Sequence, residues 1–381
     1  MAVQGIPASA MIPSEQPTVA FRTDASIQIG TGHVMRCLSL ADALRERGAR
    51  CNFICRPHSG HLLDAIAQRG HHAVALPSSV AAPSTLPSDP AHTAWLGTDW
   101  QTDAQETLEA LGAGGVDWLV VDHYALDRRC ELAFRAHCQN LMVIDDLADR
   151  PHDSDVLLDQ NLGRTVKDYG GLLSPHTTPF IGPQYALLRP EFAQLRSQSL
   201  ARRTHPQLRR LLITMGGVDK DNATGQVLQA LTVCKLPTDL CITVVMGPLA
   251  PCLVEVKLQA AQMPWPTQVL VGVNEMAQIM ADSDLCIGAA GGTSWERCCL
   301  GLPTLLLVIA SNQMSGASAL EKAGAALVFK TAPDLPQIIE MYLSSAAKAQ
   351  LKSMGQAASA VSDGLGVQRI LDTMLSGSGH D

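Results

Sequence analysis

Thr18-Val19-Ala20-Phe21-Arg22, then Gly30-Thr31-Gly32-His33, then Val34, Leu38, Ala41 and Leu44 at helical spacing decide the fold. The first run reads as a short buried strand. The last reads as a helix whose other faces carry Arg36, Asp42, Arg45 and Glu46, and Gly48 stops it. A glycine turn between the two delivers His33 to the C-terminal edge of a sheet, which is where open α/β folds place their ligands. Imidazole titrates near neutral pH, so a histidine fixed there suits a general base.

Outward from this unit, strand-like and helix-like runs alternate almost throughout, the pattern of an α/β protein. Residues 51–55, 73–76, 117–121, 141–144 and 156–158 read as further strands, and residues 61–69 as a helix. The 117–121 run ends in Asp122-His123-Tyr124 and the 141–144 run in Asp145-Asp146. Residues 77–104 read as loop. Gly, Pro, Tyr and Arg accumulate over residues 160–205, and Arg202-Arg203-Thr204-His205-Pro206 reads as a linker. A second series then begins, with strands predicted over 211–214, 241–245, 268–271, 285–287, 304–309 and 325–329. Helices are predicted over 222–234 and 274–281 and from about residue 334 onward. Its first strand also feeds a glycine turn, Met215-Gly216-Gly217. The expectation is two Rossmann-like domains, residues 18–200 and 207–381, with a cleft between them, preceded by a disordered extension over residues 1–17.

The chain has 381 residues, more than one ordinary core organises. Its formal net charge of -8 argues against a nucleic-acid partner, which calls for a basic face. The eleven cysteines form no C-x-x-C pair, so they read as small core residues of a reducing compartment rather than a zinc or redox motif. No apolar run approaches the ~20 residues that span a bilayer, and the N-terminus lacks a basic start and apolar core. A cytoplasmic protein without a membrane partner is expected. A monomer is expected too, because the cleft is complete within one chain.

Gly288-Ala289-Ala290-Gly291-Gly292-Thr293-Ser294 runs into a helix at Trp295-Glu296-Arg297. Backbone N–H groups at such a helix start bind phosphate, and Thr293 and Ser294 add hydroxyls. A tight packing turn is the plainer alternative. Glu296, in the first helical turn, suits the two hydroxyls of a ribose, or merely favours the helix start through its dipole. The 304–309 strand leads to Ser311-Asn312-Gln313, whose amides suit sugar hydroxyl or acetamido groups unless Ser311 or Asn312 is simply an N-cap. The D-x-D pairs Asp153/Asp155, Asp219/Asp221 and Asp282/Asp284 do not follow a strand as a metal-holding pair would. His71-His72 and Cys298-Cys299 lack further zinc ligands. No metal and no cofactor are expected.

Together these residues resemble a known family, the UDP-2,4-diacetamido-2,4,6-trideoxy-β-L-altropyranose hydrolases of pseudaminic acid biosynthesis. The likeness covers about residues 18–375. It rests on Arg22-Thr23-Asp24-Ala25-Ser26, Gly30-Thr31-Gly32-His33-Val34-Met35-Arg36-Cys37, Val121-Asp122-His123-Tyr124, Ile144-Asp145-Asp146, Asp159-Gln160-Asn161, Tyr185-Ala186-Leu187-Leu188-Arg189, Met215-Gly216-Gly217 and the run from Gly291 through Glu296 to Gly301-Leu302-Pro303. The family is similar in fold to the transferase that adds N-acetylglucosamine to the peptidoglycan lipid precursor. The resemblance implies a GT-B-type pair of domains with UDP held mainly by the second: Gly291, Gly292, Thr293, Ser294 and Glu296. It implies His33 as general base for water attacking the anomeric carbon with inversion. Arg22, Gly30, Gly32, Tyr124, Gly216, Asn312 and Gln313 are expected at the sugar, although Arg22 can instead pair with Asp24 to shape the turn. Tyr124 would close over the sugar or orient His33, and Asp122 and His123 are catalytic or structural. The product would feed a nonulosonic acid for flagellin or surface glycans.

Other readings use the same residues. An inverting UDP-sugar transferase replaces water by an acceptor hydroxyl. A hydrolysing 2-epimerase needs further acids, for which Asp122, Asp145 and Asp146 are available. A UDP-sugar sensor would bind without turnover.

Overall fold

The computed structural model describes residues 16–78, 89–343 and 347–376. Of the expected N-terminal extension, residues 1–15 lie outside the described residues, whereas the Pro17 carbonyl accepts a 2.8 Å bond from the Arg50 amide at the sheet edge.

The first sheet contains β1 (Thr18–Thr23), β2 (Arg50–Cys55), β3 (His72–Ala75), β4 (Val116–Asp122), β5 (Cys138–Ile144), β6 (Val156–Asp159) and β7 (Thr178–Ile181). All pairs are parallel, in the order β3-β2-β1-β4-β5-β6-β7. The second contains β8 (Arg210–Thr214), β9 (Cys241–Met246), β10 (Thr267–Val271), β11 (Leu285–Ala289), β12 (Thr304–Leu307) and β13 (Leu327–Phe329), again all parallel, as β10-β9-β8-β11-β12-β13. Parallel sheets are covered on both faces, and period-two alternation supplies two cores per sheet. Val19 and Phe21 face one core and Ala20 the other, and Ile213 and Leu212 divide in the same way.

The covering helices are α1 (Gly32–Glu46), α2 (Leu63–Gln68), α3 (Trp100–Leu111), α4 (Arg128–Phe134), α5 (Pro190–Arg202), α6 (Ala223–Leu231), α7 (Leu253–Ala260), α8 (Met276–Asp282), α9 (Thr293–Cys299), α10 (Met314–Lys322), α11 (Leu335–Leu343), α12 (Ala347–Val361) and α13 (Gly366–Ser376). Two of them cross between the sheets. Phe192 of α5 is buried in a core of the second sheet, and Arg196 and Ser199 donate to carbonyls of Leu300, Ser359 and Ser362. Conversely Ile370, Leu371 and Met374 of α13 complete a core of the first sheet, where the Trp118 indole N–H bonds the Met374 carbonyl.

Two local expectations are corrected. Within the loop expected over residues 77–104, Thr93–Leu96 forms a short helical turn and α3 begins at Trp100, with the Asp99 carboxylate capping the Thr102 amide at 2.8 Å. Residues 79–88 of that stretch lie outside the described residues. The segment 160–205 carries a strand, β7, and a helix, α5, that starts with Pro190 in its first turn.

The order of strands places the site. In each sheet the chain reverses its direction of travel at the first strand, between β1 and β4 and between β8 and β11. At such a switch point the adjoining loops leave in opposite directions and open a crevice at the carboxyl ends of the strands.

Candidate functional site

Both crevices carry the glycine turns, and the turns meet. A Cβ on Gly217, after β8, would lie 2.6 Å from the Thr31 hydroxyl, just before α1. The loop after β6 touches α10 likewise: a Cβ on Gly163 would sit 3.5 Å from that of Ala319, and one on Gly316 would sit 4.0 Å from Asn161 Oδ1. Gly30 (φ +85°) and Gly216 (φ +92°) occupy left-handed backbone with open space where a side chain would be. Both turns therefore expose backbone toward the junction.

His33 lies in the first turn of α1 and is mostly buried. Its Nδ1 is 2.6 Å from Oδ1 of Asp122, the last residue of β4, which is fully buried. Burial alone would raise the Asp122 pKa, but Arg36 and then His33 hold its carboxyl well below the usual carboxylate range. Arg36, one helical turn beyond His33, donates Nε to Oδ2 at 2.6 Å and Nη2 to Oδ1 at 2.7 Å. An ionised Asp122 only accepts, so Nδ1 carries the proton and donates it. The 3.3 Å approach of Arg36 Nη2 to Nδ1 is then a contact between two donors, not a hydrogen bond. In the neutral ring Nε2 then carries the lone pair, and it has no hydrogen-bond partner among the described residues. An imidazole oriented by a buried carboxylate is the arrangement a positioned general base requires.

Arg36 extends the network. Its Nη1 donates to Asp146 Oδ2 at 2.6 Å, and the Tyr124 hydroxyl donates to the same oxygen at 2.8 Å. The Tyr124 ring meets His33 edge-on, centroids 4.5 Å apart. His123 points its chemistry elsewhere: Nδ1 accepts the Ala125 amide at 3.1 Å, and burial lowers its pKa to about 3 against the pull of Asp24.

One expected sugar contact is corrected. Arg22 is fully buried and bonded through Nε, Nη1 and Nη2 to Asp24 and Asp103 at 2.7–3.1 Å. It cannot reach a ligand in the crevice. Asp24 also accepts the Arg56 amide at 2.7 Å, so this pair braces the chain leading into the Gly30 turn.

In the second domain, Arg297 pins the other turn from below. Nearly inaccessible, it donates Nη2 to the Ala289 carbonyl at 2.7 Å and to Ser294 Oγ at 2.9 Å, and Nη1 to Thr293 Oγ1 at 3.2 Å. Ser294 is buried by this arrangement, whereas Gly292 is exposed and Gly291 and Thr293 are half-buried. A Cβ on Gly291 would lie 4.0 Å from Gln313 Nε2, so the phosphate-type turn and the 311–313 segment share one rim. Neither Ser311 nor Asn312 caps a helix with its side chain, and Asn312 is exposed. Each of the three D-x-D pairs has at least one carboxylate with other work: Asp153 and Asp155 pair with Arg135, Asp219 accepts the first amides of α6, and Asp284 holds Arg202.

Burial pushes the Glu296 carboxyl up to about 7, with Arg189 and Arg297 opposing and Glu191 adding to the rise, yet the side chain keeps partial exposure. The unfolded chain releases this proton near 4.5 and the folded chain near 7, so stability falls as pH rises between them. Glu296→Gln is therefore expected to gain about 1–2 kcal/mol above pH 7 and nothing near pH 4. Thermal melts at the two pH values check it; an equal shift at both contradicts it.

The chain superposes along almost its whole length on Acinetobacter baumannii MurG (TM-score 0.64, 15% identity, 94% of this chain and 99% of that one). It also superposes on a protein of Listeria monocytogenes described as a candidate UDP-N-acetylglucosamine 2-epimerase (TM-score 0.61, 13% identity, 97% and 99%). The fold is the GT-B arrangement of two parallel-sheet α/β domains. Residues 225–370 match the glycosyltransferase family 28 C-terminal domain. The UDP-2,4-diacetamido-2,4,6-trideoxy-beta-L-altropyranose hydrolase of Campylobacter jejuni is 24% identical over 312 residues, covering 82% of this chain and 99% of that protein. An uncharacterized protein of Methanocaldococcus jannaschii is 25% identical over 297 residues, and the spore coat polysaccharide biosynthesis protein SpsG of Bacillus subtilis 26% over 198. The matches span only 55% and 57% of the lengths of these two relatives. No helix among the described residues is long and apolar enough to cross a membrane.

Proposed function

We propose that this GT-B, nucleotide-sugar-related chain is a hydrolase that cleaves UDP-2,4-diacetamido-2,4,6-trideoxy-β-L-altropyranose to UDP and the free sugar. The observation that carries the reading is the 2.6 Å bond from His33 to an ionised, fully buried Asp122 at the domain junction. The Campylobacter relative, matched along nearly its whole length, supplies the substrate.

In this reading the diphosphate lies over the amides of Gly291, Gly292, Thr293 and Ser294, and Glu296 accepts the ribose hydroxyls. Gly30, Gly32, Gly216, Asn312 and Gln313 border the sugar, with Tyr124 beside His33. Nε2 of His33 takes a proton from water as the water oxygen attacks the anomeric carbon opposite UDP. The anomeric C–O bond breaks, its electron pair leaves on the β-phosphate oxygen, and the configuration inverts. The transition state has oxocarbenium character, and the amide donors stabilise the leaving charge. Ribose hydroxyls stabilise ionised Glu296, so UDP affinity should rise with pH up to about 7.

The family 28 match favours a second reading, an inverting transferase with an acceptor hydroxyl in place of water. Proton NMR of the full chain with this sugar nucleotide, without acceptor, separates the two. Hydrolysis predicts UDP and free sugar, the inverted anomer first. Binding without turnover until an acceptor is added contradicts hydrolysis and leaves the transferase.

A further inference from the structure

A row of aromatic rings runs outward from His33. Tyr124 meets His33 at 4.5 Å, Trp95 stacks on Tyr124 with centroids 5.9 Å apart and planes at 27°, and His92 lies 5.5 Å from Tyr124 and 4.2 Å from Trp95. Tyr124 is buried at the inner end, whereas His92 and Trp95, on and beside the turn Thr93–Leu96, are only half-buried. The Arg150 guanidinium sits over Tyr124 at 6.0 Å but is held by Asp145, Asp149 and the Leu126 carbonyl. The Trp95 indole N–H has no protein partner among the described residues and keeps access to solvent.

We infer that Trp95 and His92 form a specificity wall that packs against the glycosyl unit of the bound sugar nucleotide, on the faces bearing its deoxy methyl and acetamido groups. The inference rests on His33 being the base. A base acting through one water stands within two hydrogen bonds of the anomeric carbon. A wall that begins in contact with His33 therefore meets the sugar. The nucleotide, by contrast, belongs to the turn at residues 288–296 in the other domain. The chemistry agrees. Aromatic faces favour methyl groups over hydroxyls, and the free indole N–H suits an acetamido carbonyl. Burial lowers the His92 pKa against the pull of Asp149, which favours the neutral ring.

The test is calorimetric binding to the full chain in a His33→Ala background, which prevents turnover. The probes are UDP, UDP-N-acetylglucosamine and the UDP-diacetamido-trideoxy sugar. Trp95→Ala should weaken the deoxy sugar nucleotide by about tenfold or more, as expected when a pocket loses apolar contact. It should move UDP by less than about twofold and shrink the preference over UDP-N-acetylglucosamine. Trp95→Phe should retain most of the preference. Equal weakening of all three, or no change in any, overturns the wall. Turnover of the sugar by the unmodified chain tests the hydrolase reading separately, since a preference that depends on Trp95 needs no turnover.

Discussion

His33→Ala lowers kcat about 10²–10⁴-fold, the range expected for loss of a positioned general base. Asp122→Asn produces a loss of similar order by a different route. The amide can donate to Nδ1 as well as accept from it, so the imidazole is no longer held as the tautomer with a free Nε2. Arg36 would also face a neutral partner across the 2.6 and 2.7 Å contacts that now lock Asp122 in place. UDP affinity should stay nearly constant in both variants, because neither residue belongs to the 288–296 turn proposed to hold UDP. Steady-state kinetics with calorimetric UDP binding checks this. A folded His33→Ala variant with most of its turnover would remove His33 from the chemistry. A loss seen only in KM would make it a binding residue.

Asp103→Ala carries the largest expected cost in stability. Asp103, on α3, is fully buried and accepts from Arg22 Nε and Nη2 at 3.1 and 2.7 Å and from Arg56 Nη2 at 2.7 Å. Truncation leaves two buried guanidinium groups under-compensated, which costs about 3–5 kcal/mol. Asp24 still holds Arg22, and Glu106 still holds Arg56, so the lower end of that range is expected. Denaturant unfolding measures it, and a change below about 1 kcal/mol contradicts the account. Buried ion pairs also set the acid limit. Asp24 would be raised by burial but is held below its unfolded pKa by Arg22, and Asp145 is likewise held down by Arg150 against its burial. Such groups add stability above about pH 4, and that contribution is lost as pH falls further.

Much of the first domain was legible because its strands are uninterrupted apolar runs ending in named polar residues. Gly30-Thr31-Gly32-His33 could be placed at a strand's carboxyl end from local pattern alone. What the pattern could not carry was pairing over distance. Asp122 and His33 are 89 positions apart, and only the β1–β4 neighbourhood at the switch point joins them. The signal was present as an aspartate closing an apolar strand, and Arg36, on the helix that carries His33, was a second. Arg22 was legible in part: its pairing with Asp24, two residues on, could be read from the sequence, whereas its second partner Asp103, 81 positions away, could not. Helix α5 was hidden in a Gly-, Pro- and Arg-rich stretch, although Pro190 and Glu191 are a helix-start signal. The Trp95 turn has too few residues to show a period. In the second domain the 288–296 stretch was readable as a turn into a helix, but the buried Arg297 beneath it was not.

The most direct test of the central claim is the site of bond cleavage. The full chain would turn over the UDP-diacetamido-trideoxy sugar in water enriched in heavy oxygen, and phosphorus NMR would read the released UDP. In the proposed mechanism water activated by His33 attacks carbon, so the account predicts UDP with no heavy oxygen on its β-phosphate. Heavy oxygen on that phosphate would mean attack at phosphorus, and would contradict both the role given to His33 and the placement of the sugar beside it.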